Sequence, residues 1–199
     1  MRRLFLALIG CLAFSVAWAQ AIPGQPAPAF ALTDVNGKPV RLDALRGKFV
    51  VLEWNNPSCP FVRKHYDSGN MQSLQQRFTE RNVVWLTINS TAASNSEYLS
   101  PAQLAAWMKQ NSGAPTALLL DSDGSVGRAY GARATPHMYV IDPNGVVAYA
   151  GAIDDIRSAD PADVKRARNY VASALEEALA GQPIRTPSTP AYGCSIKYG

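Results

Sequence analysis

The chain has no C-x-x-C pair, no apolar run of membrane-spanning length after its first twenty residues, few histidines and little net charge. Without paired or clustered Cys and His there is no zinc-knuckle or haem-attachment spacing. Without the ~20 continuous apolar residues of a membrane span, no transmembrane segment is expected after the start of the chain. Nineteen Lys and Arg stand against fifteen Asp and Glu, a net charge of +4 to which Arg2 and Arg3 contribute two. The rest shows no basic cluster beyond Lys165, Arg166 and Arg168, which read as a solvated helix face, so a nucleic-acid partner is not expected. What is present is 199 residues, 47% hydrophobic and 17% charged, enough for one ordinary globular domain.

The first residues predict export. Met1-Arg2-Arg3 is a basic start, Leu4 to Val16 is almost wholly apolar, and Ala17-Trp18-Ala19 is the small-x-small pattern cut by signal peptidase. Residues 1–19 therefore read as a signal peptide, with Gln20 as the mature N-terminus and the periplasm as destination. Leu8-Ile9-Gly10-Cys11 also resembles a lipobox, but the apolar run continues past Cys11 and leaves too short a stretch before it. Removal of Cys11 leaves Cys59 and Cys194, an even pair in a compartment where disulfides persist.

Residues 20–29 read as a Pro/Ala-rich linker, 30–182 as the folded domain and 183–199 as an extended tail carrying Cys194. Phe30 to Leu42 predicts a β-hairpin around Asn36-Gly37. Lys48 to Trp54 and Val83 to Ile88 are apolar, β-branched runs expected for strands buried on both faces. Pro57-Ser58-Cys59-Pro60 ends the first of them, and a helix follows, interrupted at Ser68-Gly69 and resuming to Arg81. Ser100-Pro101 starts a second helix by cap and first-turn proline. Ala117 to Leu120 is a strand, Ser125 to Tyr130 a short helix, and His137 to Ala150 a hairpin turning at Asp142-Pro143-Asn144-Gly145. Asp160-Pro161 opens a last helix, expected to run until Gly181. This alternation predicts one α/β domain of three layers, with a mostly parallel sheet and antiparallel edge strands.

Cys59 is the first candidate for chemistry. It stands directly after a buried strand and at the start of a helix, whose unpaired N–H groups favour a thiolate. The alternative is a small buried side chain without chemistry. His65 and His137 read as packing or surface residues, and Trp54, Trp85 and Trp107 as core or site-wall aromatics. Asp121-x-Asp123-Gly124 reads as a turn, because the acidic ligand that would complete a calcium loop is absent at Ala132.

The segments NPSCPFVRKHYDSGNMQ, GRAYGARATPHMYVID and YGCSIKY resemble the peroxiredoxin-like redoxins of the alkyl hydroperoxide reductase/thiol-specific antioxidant family, within the thioredoxin-like superfamily. The resemblance implies a thioredoxin-like fold, a central mixed sheet flanked by helices, and thiol-disulfide or antioxidant activity. It implies that Cys59 is the attacking cysteine, that Pro136 after Thr135 is the cis-proline lining the substrate edge, and that Pro60 and Thr135 border the substrate. Glu53, six residues before Cys59, matches the buried acid that passes protons, with an ion-paired strand-end acid as the alternative. Val62 stands where the second cysteine of C-x-x-C would be, so Cys194 is the candidate resolving thiol, within one chain or across a homodimer. A fixed staple is the other reading of the pair, closing a loop of about 135 residues worth roughly 5 kcal/mol through lost chain entropy.

The peroxiredoxin pattern P-x-x-x-T-x-x-C is broken by Leu52 and Asn56, and the family's arginine falls at Pro136, with Arg133 close but out of register. Disulfide exchange is therefore favoured over peroxide reduction, and a thiol-dependent peroxidase is the alternative. A non-catalytic exported binding domain is the third reading. The expected partners are protein or small-molecule thiols and disulfides, or peroxides, with a reducing protein to restore the thiol. No metal, flavin or nicotinamide is required, because the cysteine carries the electrons.

Overall fold

A computed structural model describes residues 21–199, so the expected signal peptide and Cys11 lie outside the described residues. A hairpin comes first, β1 (Ala31–Asp34) with β2 (Pro39–Arg41), followed by a 3-10 turn at Asp43–Leu45. Then come β3 (Val50–Trp54), α1 (Pro60–Asp67), α2 (Asn70–Thr79), β4 (Val84–Asn89), α3 (Pro101–Gln110), β5 (Ala117–Leu120) and α4 (Ser125–Tyr130). The second half adds β6 (Ala134–Thr135), β7 (His137–Ile141), β8 (Val147–Gly151), α5 (Tyr170–Leu179) and β9 (Cys194–Ser195).

The main sheet has the order β2-β1-β5-β4-β3-β7-β8. Every residue of β3 and β4 is buried, as their unbroken apolar runs require. Their side chains alternate between two cores. Val50, Leu52 and Trp54 meet Ile88, Tyr130 and Tyr139 on one face, whereas Val51 meets Met71, Phe78 and Leu175 on the other. Each such side chain, fully buried, contributes about 1.5–3 kcal/mol.

The sheet is mixed, as the resemblance implies, with fewer parallel pairs than the strand–helix alternation alone suggests. Only β3–β4 and β4–β5 are parallel; β1 joins β5, and β7 joins β3, in antiparallel register. Strand–helix alternation signals the parallel neighbours, and the two hairpins supply the antiparallel outer strands.

The last helix is also corrected. Asp160 caps only a 3-10 turn at Pro161–Lys165, and α5 starts afresh behind Asn169, whose side chain accepts the Ala172 N–H at 2.8 Å. The intervening chain is fastened to its neighbour: Asp154 pairs with Asn169, and the Arg168 N–H donates to the Asp155 carboxylate at 2.8 Å. Backbone committed to those bonds cannot also continue a helical ladder.

Both irregular ends of the described chain cover the exposed edge of β8. The Gly24 N–H donates to the Val147 carbonyl at 2.8 Å, and on the tail side the Ala150 N–H donates to Pro187 at 3.0 Å. An uncovered edge strand invites pairing with other chains, and these segments fill it. The extended tail is thus packed against the domain.

Candidate active site

The strand-to-helix junction positions Cys59. After β3 the chain turns at Asn55 to Ser58, where the Asn56 side chain accepts the Ser58 N–H at 2.8 Å and donates to Glu97 at 2.7 Å. Pro60 then occupies the first helical position and is exposed, which suits its missing N–H. Cys59 is the N-cap, its carbonyl accepting from Val62 and Arg63, each at 3.0 Å. Its side chain is 1% exposed.

Two groups meet the Cys59 sulfur. The thiol donates to the Thr135 carbonyl at 3.0 Å, and Cys194 Sγ lies 2.7 Å away. Both cysteines are free thiols. Thr135 pairs with Cys194 across the β6–β9 ladder, which brings the tail cysteine to the front of the helix. The Thr135–Pro136 bond is cis, and Pro136 is buried. Burial first, and the contact with Cys59 second, push the Cys194 thiol up to about 12, so at neutral pH it keeps its proton. Val62, at the second position of the absent C-x-x-C, is a buried core residue.

Glu53 lies in the opposite core from Leu52 and is fully buried. It is not ion-paired. Asn55 and Tyr66 donate to one carboxylate oxygen at 3.0 and 2.8 Å; Gln75, Trp85 and Thr87 donate to the other at 3.1, 2.8 and 3.1 Å. Burial raises its pKa, and these bonds act against the rise. Among the described residues, the carboxyl makes no hydrogen bond to either sulfur.

A buried cluster behind the two cysteines carried no signal in the sequence. Lys64 projects from α1 and is fully buried; its ammonium donates to Asp154 at 2.8 Å, to the Ile156 carbonyl at 2.8 Å and to the Tyr192 hydroxyl at 3.2 Å. Tyr192, two residues before Cys194, also donates to Asp154 and packs edge-on against Phe61, ring centroids 5.8 Å apart. Its hydroxyl is driven upward in pKa by burial and then by Asp154. His65 is buried too, its Nε2 3.9 Å from Asp154. Lysine in an amphipathic helix reads as surface, and only its pairing with an acid 90 residues away shows otherwise. Gly193 was missed as well, although a glycine directly before the tail cysteine was its available signal. Its φ is +139°, and a β-carbon there would collide with the Thr135 carbonyl oxygen.

The arrangement can support thiol-disulfide exchange: a buried thiol at a helix start and a second, partly exposed thiol in contact with it. It lacks the hydroxyl that the peroxiredoxin pattern would supply, since Asn56 at that position spends its side chain on the loop and on Glu97. Arg133 is exposed, its backbone N–H donating to His137 at 3.3 Å.

Comparison with known proteins gives a consistent picture. The sequence profile of the AhpC/TSA family matches residues 23–150. A crystal structure of an uncharacterized conserved protein from Geobacillus kaustophilus is similar, with 28% identity, a TM-score of 0.76 and coverage of 90% of this chain and 94% of that one. A hypothetical protein from Sinorhizobium meliloti matches at 24% identity and TM-score 0.75, covering 89% and 95%. The thioredoxin domain of a thiol-disulfide oxidoreductase from Bacteroides vulgatus shares the fold, at 19% identity and TM-score 0.53, covering 73% and 96%.

Proposed function

The chain belongs to the AhpC/TSA family and is a thiol-based oxidoreductase with a thioredoxin-like fold, and from that premise we propose that it exchanges disulfides through Cys59, with Cys194 as its resolving partner. The observation that carries the reading is the contact of the two sulfurs at 2.7 Å across 135 residues of sequence. In the first step the Cys59 thiolate attacks a substrate disulfide, forming a mixed disulfide and expelling one substrate sulfur as thiolate. Cys194 then attacks the Cys59 sulfur and releases the second substrate sulfur, which accepts the Cys194 proton. A Cys59–Cys194 disulfide results, and a reducing dithiol partner restores both thiols. The separation of the sulfurs within one chain supports intramolecular resolution over a homodimer.

Thr135 and Pro136 form the backbone wall of this site, and Pro60 its outer lip. Glu53 is assigned as the buried acid that tunes proton movement, acting from within the core that also holds Cys59. For location we propose export to the periplasm after cleavage at Ala19; N-terminal sequencing of the mature protein is expected to begin at Gln20.

Reduced protein mixed with oxidised glutathione tests the exchange. Cys59→Ser is expected to abolish it, and Cys194→Ser to stop at a glutathione adduct on Cys59. Unchanged exchange in Cys59→Ser overturns the assignment. A Glu53→Gln variant with the same pH–rate profile as the wild type removes the proton role from that residue.

A further inference from the structure

Cys59 is covered by residues 192–199 of its own chain. The backbone edge beside it, Ala134–Thr135, is already paired with Ser195 and Cys194. The segment making that pairing is fastened on both sides. Upstream, the Tyr192 hydroxyl is held by buried Asp154. Downstream, the Ile196 N–H donates to the Arg133 carbonyl at 3.3 Å, and the Lys197 carbonyl accepts the Ala92 N–H at 2.8 Å. The Tyr198 hydroxyl donates to the Ala132 carbonyl at 2.9 Å, and Arg128 donates to the Gly199 carbonyl at 2.6 Å. Lys197 also reaches Glu97 at 3.4 Å, the same carboxylate that holds Asn56 in the Cys59 loop.

Gly193 makes this approach possible. Its φ of +139° and the absence of a β-carbon let the tail lie directly against the Thr135 carbonyl. An extended polypeptide that docks on a sheet edge needs the free N–H and C=O groups of that edge. Here those groups are taken, and freeing them requires the tail to give up its pairing and its flanking bonds together. A small disulfide needs far less, only a swing of the partly exposed Cys194 side chain from the front of Cys59.

We propose that residues 192–199 are a self-bound strand that occupies the polypeptide-docking edge beside Cys59, so that the resting protein exchanges with low-molecular-weight disulfides and takes an extended polypeptide only when this strand is lifted. The proposal rests on Cys59 as the exchanging thiol and names the substrate class of that same site.

The test follows capture on Cys59 in the full-length Cys194→Ser protein, which retains the backbone pairing but cannot resolve an adduct. Two probes are compared by timed alkylation and mass spectrometry: oxidised glutathione, and an unstructured peptide whose cysteine is capped with glutathione. In either case the Cys59 thiolate forms a new S–S bond as the probe's own S–S bond breaks and glutathione leaves as thiolate. Adding Gly193→Val is expected to speed peptide capture by about tenfold or more, as a scarcely populated open form becomes common, while glutathione capture changes by less than about threefold. Tyr192→Phe, which deletes one hydroxyl, is expected to move peptide capture in the same direction by a smaller factor, and it carries the test if the valine variant does not fold. Peptide capture that is equally fast with the strand intact and lifted overturns the proposal. Failure of Cys59 to capture either probe overturns the exchange reading itself, and the two failures are therefore distinct.

Discussion

Cys59 and Cys194 meet at one point but are held there by opposite kinds of structure. Cys59 is placed by its chain neighbours: a buried strand ends, Asn56 closes a turn, and Pro60 starts a helix. Cys194 has no regular structure of its own beyond a two-residue strand. It is placed by contacts across 59 to 128 residues of sequence, from Thr135 on one side and from Lys64, through Tyr192, on the other. A locally built thiol stays in position as long as its loop and helix fold. A thiol held by distant contacts can be released without unfolding the domain, which suits a partner that must come and go.

The largest way to break this contrast is at the joint between the two supports. Lys64→Met leaves the Asp154 carboxylate buried without its cation, and urea unfolding is expected to show a loss of about 3–5 kcal/mol. Tyr192 loses part of its anchor with it, so Cys194 should become open to alkylation in the surviving native fraction. The double variant Lys64→Met/Asp154→Leu is expected to recover most of the stability, because no buried charge is then left unpaired.

Acid should strain the same joint. Burial lowers the His65 pKa from 6.5 to about 4; neighbouring Asp154 opposes the shift and Lys64 adds to it. The unfolded chain therefore binds its proton first as pH falls. Stability present above pH 6.5 is lost as pH drops through that window toward about 4, by about 3 kcal/mol in all. Denaturation curves across the window are expected to show this slope in the wild type and a flatter one in His65→Gln.

A substitution on the Cys59 side sharpens the contrast. Glu53→Gln keeps the shape but turns an amide N–H₂ toward groups that themselves donate, such as Trp85 and Thr87. The expected cost is about 1–3 kcal/mol, with the docking of the tail unchanged when Cys194 accessibility is followed by alkylation. The smallest effect belongs to a site remote from both supports. Ser100 and Gln103 form a reciprocal cap at the start of α3, and Ser100→Ala is expected to cost about 1 kcal/mol in thermal or urea unfolding without altering either thiol.

The same division explains what could be read from the sequence. Val50 to Trp54, the Ser100-Pro101 cap, the Asp142 to Gly145 turn and the Cys59 junction were legible because each is written in neighbouring residues. The helix expected from Asp160 to Gly181 was misread because its break depends on Asp154 pairing with Asn169 and on Arg168 bonding to Asp155. The buried Lys64 was invisible for the same reason, since a lysine on an amphipathic helix looks solvated until its distant carboxylate is known. The tail reads from sequence only as an extended segment without periodicity, and the contacts of Gly193 and the flanking tyrosines that dock it lie with distant residues.

The central claim is that Cys59 and Cys194 form one reversible redox pair within a single chain. Its most direct test is mass spectrometry of the full-length protein after equilibration in glutathione buffers of graded potential, followed by alkylation. The account predicts a single transition in which both cysteines together pass from alkylated to protected, linked to each other within one chain and reversed by a dithiol. Cysteines that titrate independently, or a bridge that no buffer in the series opens or closes, would contradict it.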